Sequence, residues 1–293
     1  KIDLRVLERG SDGSWPSDGD VYLIKARTFQ PLSQIFSWAD LTRRVPLEGI
    51  NPVFQGQAFD PTGVKSRPWR ISPWFFMKKV AVVLSGCGFK DGSEITEAVS
   101  LLIGLNQAGA EVSCFAPDLQ ISVTDHLTGK PSGETRSLLA EAARIARGHI
   151  KSLDKLHAKD FDAVAFPGGY GAARNLCNWA EKGAQCEVDP EVKRVILDFY
   201  NSSKPIGALC IAPVVVAKVL GDKKVTVTIG DDPETAAEIQ KTGAIHEECP
   251  VNDYITDRET KVVTTPAYMY GDAKPNEVFA GIFGLAHELV EWA

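Results

Sequence analysis

The chain has 293 residues, 44% of them hydrophobic and 24% charged, with a formal net charge of -6. Lysine and arginine are interspersed with acidic residues rather than massed, which leaves no electrostatic footprint for nucleic acid. No window approaches the roughly 20 apolar residues needed to span a bilayer, so membrane insertion is not expected. The six cysteines, at 87, 114, 177, 186, 210 and 249, include no C-x-x-C pair of the kind used by structural zinc or thioredoxin chemistry. A chain long enough to build an ample core does not need disulfides, and the cysteines read as reduced and intracellular.

Composition changes near residue 77. Residues 1–76 hold seven of the 17 prolines and four of the six tryptophans but no cysteine. This N-terminal extension offers one strand-like piece, residues 21–26, and one short helix, residues 32–45, bracketed by Pro31 and Pro46. Trp38, Phe54, Trp69, Trp74, Phe75 and Phe76 are too many aromatics for a solvated tail, so the segment is expected to dock on the main domain or on a partner. Residues 77–293 form the main domain. There a short apolar run, 79–84, suits a buried parallel strand, and Ser85-Gly86-Cys87-Gly88 leads to Ser93 as N-cap of a helix over 94–108. Strands follow at 111–116, 161–166, 205–209, 225–229, 251–255 and 262–264. Helices are predicted over 134–147, 171–176, 190–200, 212–220, 234–241 and 276–292. Strands that alternate with helices imply an α/β fold, a mostly parallel sheet covered on both faces, with ligands bound outside the carboxyl ends of the strands.

Three groups of residues follow predicted strand ends. Cys210 stands in Gly207-Ala208-Leu209-Cys210-Ile211-Ala212-Pro213, where a strand turns directly into a helix. Such an elbow needs small residues two before and two after the nucleophile, and Ala208 and Ala212 meet that need. A nearby helix N-terminus favours thiolate. After the strand at 161–166, Gly168-Gly169 present backbone N–H groups with no side chain in the way, and with the N–H of Ile211 they are the expected oxyanion donors. Glu94, beyond the first strand, is the expected carboxyl partner of the thiol, provided that burial raises its pKa.

Val83-Leu84-Ser85-Gly86-Cys87-Gly88, Asp91-Gly92-Ser93-Glu94-Ile95, Cys114-Phe115-Ala116-Pro117-Asp118, His126-Leu127-Thr128-Gly129, Pro167-Gly168-Gly169-Tyr170-Gly171-Ala172-Ala173, Cys210-Ile211-Ala212-Pro213 and Thr264-Thr265-Pro266-Ala267-Tyr268-Met269 carry a resemblance. Together they resemble the ElbB-like glyoxalases of the PfpI (glutamine-amidotransferase-like) superfamily, mitochondrial relatives included, over nearly all of residues 77–293. The resemblance implies a flavodoxin-like three-layer sandwich, a homodimer or a subunit of a larger complex, and a mitochondrial or cytoplasmic setting. It implies Cys210 as nucleophile and Glu94 as its partner, acting on small 2-oxoaldehydes such as methylglyoxal and glyoxal, a glyoxalase III-type lyase or a deglycase, without metal or organic cofactor. Two features depart from the wider superfamily. Many of its hydrolases place histidine directly after the cysteine, where this chain has Ile211; His246 is the tentative substitute. The extension to residue 76 has no recognisable counterpart in the bacterial proteins, which gives the alternative expectation: a catalytically weak or silent accessory subunit anchored through that segment.

Overall fold

The computed structural model describes residues 77–293, and the strand, helix and docking expected within residues 1–76 lie outside the described residues. The first half of the described chain runs β1 (Lys79–Val83), α1 (Ile95–Gln107), β2 (Glu111–Ala116), a hairpin of β3 (Gln120–Thr124) and β4 (Pro131–Ser137), α2 (Leu138–Ile145), β5 (Ile150–Ser152) and β6 (Ala163–Phe166). It continues through the short helices α3 (Tyr170–Arg174) and α4 (Trp179–Lys182) to α5 (Pro190–Asn201), β7 (Ile206–Leu209) and α6 (Pro213–Leu220). The last stretch holds β8 (Thr226–Val227), α7 (Pro233–Lys241), β9 (Ile245–His246), β10 (Ile255–Asp257), β11 (Val262–Thr265) and α8 (Pro275–Trp292).

Seven strands form the middle layer in the order β10-β11-β7-β6-β1-β2-β5. Every neighbouring pair is parallel except β10–β11 at one edge. Without the edge strands β5 and β10, this is the flavodoxin-like strand order, whose reversal falls between β1 and β6. The period of two along β1 explains the layers. Val80, Val82 and Leu84 pack beneath α1, α2 and α8, against Leu101, Leu105, Leu138 and Leu285. Ala81 and Val83 face the other way, into a core with Val195, Ile196 and Phe199 of α5 and Val214 and Val216 of α6. Strands buried on both faces must be apolar throughout, which is why β1, β6 and β7 read as continuous hydrophobic runs.

The structure departs from the expected elements in four places. Residues 134–137 are strand rather than helix, because they pair with β3; helical spacing of leucine and alanine begins only at Leu138, where the Ser137 hydroxyl caps α2. The strand expected at 225–229 is reduced to β8, which pairs in parallel with β9 in a separate two-stranded sheet. The strand expected at 251–255 is displaced to β10, an antiparallel edge on β11. Ser93 does not cap α1: its hydroxyl accepts the Ser85 N–H at 2.9 Å, and Glu94 takes the cap position.

Candidate functional site

The turn after β7 has the elbow geometry expected of it. Cys210 takes φ +58°, a left-handed conformation costing about 1–3 kcal/mol in a residue with a Cβ, and it persists because its surroundings over-determine it. Its N–H extends the β7–β11 ladder to the Thr265 carbonyl at 2.9 Å, and the Ala212 N–H closes back on Leu209 at 2.9 Å. The side chain is held at the carboxyl end of the sheet with 7% of its surface exposed.

The carboxyl group that meets this thiol belongs to Glu97, one helical turn beyond the expected Glu94. Glu94 caps α1: its Oε2 accepts the Glu97 N–H at 2.6 Å, which directs its carboxylate along the helix end. Glu97 is fully buried, and its Oε2 and the Cys210 Cβ both crowd the space beside the Gly168 Cα. Its two oxygens are each held by a backbone donor, Oε2 by the Gly168 N–H at 3.0 Å and Oε1 by the Tyr268 N–H at 3.1 Å. Burial, and then the charge of Glu94, pushes the Glu97 carboxyl up to about 7. Burial and the Glu97 charge likewise push Cys210 well above the ordinary thiol range. Above neutral pH the pair therefore still holds one proton.

The expected oxyanion donors divide. The N–H groups of Gly169 and Ile211 both face the Cys210 sulfur and pull its pKa down. The Gly168 N–H is committed to Glu97 and is not available as a donor to substrate, because the turn after β6 passes directly beneath the carboxylate. A Cβ on Gly168 would fall 2.6 Å from Glu97 Oε2 and 2.9 Å from the Leu209 carbonyl, and closer still to Cys210 Cβ. Gly169, at φ +92°, has the left-handed backbone that carries its N–H toward the sulfur.

His246 is not brought to the thiol. It lies on β9 in the small sheet, where its Nε2 accepts the Ile229 N–H at 3.4 Å and burial pushes its imidazole pKa down. A cavity of about 420 Å³ opens elsewhere, beneath the β3–β4 hairpin, lined by Cys87, Asp91, His126, Arg136, Glu141 and Arg144 among others. Among the described residues, only Cys210 combines a strained turn, a buried carboxyl neighbour and two converging N–H donors. No group of three or more His, Cys, Asp or Glu side chains with metal-holding geometry occurs among the described residues.

Sequence reasoning missed Glu97 and Tyr268. A signal for the first was present: Glu97, Ala98, Leu101, Gly104 and Leu105 lie on one buried stripe of α1, so a glutamate there is placed against the core. Tyr268 contributes through its main chain, which leaves no side-chain signature.

The signature of the DJ-1/PfpI family matches residues 78–267, from the approach to β1 through the turn after β11. The chain belongs to the DJ-1/PfpI family. That family includes glyoxalases and deglycases. Among relatives in it, the rat ES1 protein homolog, mitochondrial, is 46% identical over 224 residues, covering 73% of this chain and 83% of the rat protein. The human glutamine amidotransferase-like class 1 domain-containing protein 3, mitochondrial, is also 46% identical over 224 residues, covering 73% of this chain and 82% of the human one. The mitochondrial names of these DJ-1/PfpI relatives bear out the intracellular location, mitochondrial or cytoplasmic, expected from the sequence. A crystal structure of an isoprenoid biosynthesis protein with an amidotransferase-like domain from Ehrlichia chaffeensis is 37% identical. It covers 73% of this chain and 100% of its own, with a TM-score of 0.69, and it bears out the flavodoxin-like sandwich.

Proposed function

We propose that this DJ-1/PfpI protein is a glutathione-independent glyoxalase that converts small 2-oxoaldehydes to 2-hydroxy acids, with Cys210 as nucleophile and Glu97 as the proton-transfer group. The observation that carries the reading is a fully buried glutamate, fixed by the Gly168 and Tyr268 N–H groups, beside a cysteine held on a strained elbow. A carboxyl raised to about 7 exchanges protons readily at neutral pH, whereas an ordinary glutamate would remain ionised. The Cys210 proton passes to Glu97 as the sulfur attacks the aldehyde carbon of methylglyoxal, giving a hemithioacetal. The N–H groups of Gly169 and Ile211 are the donors nearest the oxygen that becomes charged. The proton on the former aldehyde carbon moves to the ketone carbon and the hydroxyl proton to the ketone oxygen, which turns the adduct into the isomeric thioester of lactate. Water then cleaves the thioester, restoring the thiol, so that methylglyoxal and one water become lactate. Ile211 in place of histidine suits this chemistry, since an aldehyde needs no protonated leaving amine, whereas amide hydrolysis does.

The test is the formation of lactate from methylglyoxal by the purified chain without glutathione. Cys210→Ala is expected to abolish it while leaving the fold intact. Turnover that survives Cys210→Ala overturns the mechanism, and a folded wild-type chain with no turnover of either methylglyoxal or glyoxal overturns the function and favours an accessory subunit.

A further inference from the structure

Two buried thiols outside the elbow are neighbours across paired segments. Cys177, which follows α3, and Cys186, which precedes α5, stand on segments that run antiparallel. Cys177 forms a bridge with Val188, the Asp189 N–H donates to the Leu176 carbonyl at 2.9 Å, and the Asn178 N–H donates to the Glu187 carbonyl at 3.2 Å. Side chains alternate along such a pair, so Cys186 and Val188 share the face of Cys177, and Cys186 is its diagonal neighbour. Both residues are free thiols, buried at 5% and 2% exposure, on the same face of this antiparallel pair.

The pair is asymmetric. The S–H of Cys177 donates to the Ala172 carbonyl at 3.4 Å, and the neighbouring Cys186 holds the Cys177 thiol well above the ordinary range. Lys218 donates to the Ala184 carbonyl at 2.7 Å, which brings its ammonium close to Cys186. The neighbouring Cys177 pulls the Cys186 thiol down, burial works against it, and the Lys218 charge adds to the pull. Cys114 supplies the contrast: its thiol is buried without such neighbours and is pushed up to about 11.

We propose that Cys177 and Cys186 are a redox modification site, at which a peroxide converts the two thiols into an intramolecular disulfide. The Cys186 thiolate attacks one peroxide oxygen, the O–O bond breaks, and the departing hydroxide takes up a proton as water, leaving Cys186 as a sulfenic acid. The Cys177 sulfur then attacks that sulfur: the S–S bond forms, the S–O bond breaks, and the hydroxyl leaves with the Cys177 proton as a second water. The two thiols have given up two electrons and hydrogen peroxide has accepted them. Access for so small an oxidant requires only local opening, and the two segments are held by one bridge and a single-turn helix. The disulfide also removes the S–H that binds the Ala172 carbonyl, three residues along the chain from Gly169.

Lys182 lies between the cysteines, so trypsin places them on separate peptides, 175–182 and 183–193. The reduced full chain is treated with one equivalent of hydrogen peroxide, blocked with iodoacetamide, digested and mapped by mass spectrometry. The expected product is these two peptides joined, lighter than their sum by two hydrogens, and its loss in Cys186→Ser. Absence of the joined peptide while other cysteines are oxidised overturns the proposal, as does pairing of either cysteine with a third. Should Cys186→Ser fail to fold, the wild-type map decides alone. Repeating the map in Cys210→Ser is expected to leave the joined peptide unchanged, so the outcome does not depend on the glyoxalase reading.

Discussion

Glu97 makes the stability of this domain depend on pH in a direction opposite to most carboxylates. Its folded-state pKa is about 7, whereas an unfolded glutamate titrates at about 4.3. Between those values the folded protein holds a proton that the unfolded chain has released, so stability is intact below about pH 4 and falls as pH rises. The slope is about 1.4 kcal/mol per pH unit, and the loss is complete above about pH 7. Over that window it amounts to about 3–4 kcal/mol. Glu97→Gln cannot ionise and removes the slope. Urea unfolding of wild type and variant at a series of pH values between about 4 and 8 isolates the effect, because titrating groups not coupled to Glu97 cancel in the difference. That difference is expected to move by about 3–4 kcal/mol in favour of the variant across the series, whatever the offset at low pH. In thermal scans each kcal/mol corresponds to about 2–4 °C for a domain of this size. A difference that stays flat to within about 1 kcal/mol would refute the raised pKa of Glu97, and with it a proton-transfer role at neutral pH.

Two further predictions concern the surroundings of the pair. Glu94→Gln removes the charge that helps to raise Glu97, so the acidic limb of the pH profile of kcat/KM is expected to shift toward lower pH, and an unmoved limb would exclude that coupling. Gly168→Ala places a methyl group 2.6 Å from Glu97 Oε2 and against Cys210 Cβ, and is expected to cost about 1–3 kcal/mol in urea unfolding. Gly271→Ala, where a Cβ meets nothing within 4 Å, is the matched control and is expected to be neutral or slightly stabilising.

Much of the fold is legible before any coordinates. Strands buried on both faces must be apolar, so β1, β6 and β7 stand out, and a mostly parallel sheet covered on both faces follows from their alternation with helices; the flavodoxin-like form comes from the family resemblance. The β3–β4 hairpin does not stand out: Ile121 and Val123 are its whole apolar alternation, and β4 is mostly polar. The elbow is equally local. Ala208 and Ala212 flank Cys210 because a tight turn tolerates nothing larger, and those residues are adjacent in sequence.

The carboxyl partner is different in kind. Glu94 and Glu97 both sit in the first turn of α1, and what separates them is the rotation of that helix about its axis and the positions of two distant loops. Glu97 is fixed by N–H donors 71 and 171 residues away in sequence, at Gly168 and Tyr268. The same loop approach commits the Gly168 N–H and leaves Gly169 and Ile211 to face the sulfur. The sequence by itself determined the buried strands β1, β6 and β7, their alternation with helices and the cysteine at the turn, since each depends on residues close together in the chain. Which carboxylate touches that cysteine, and that His246 does not, was decided only by the packed structure, because those contacts join three strand ends that meet only when the sheet is assembled.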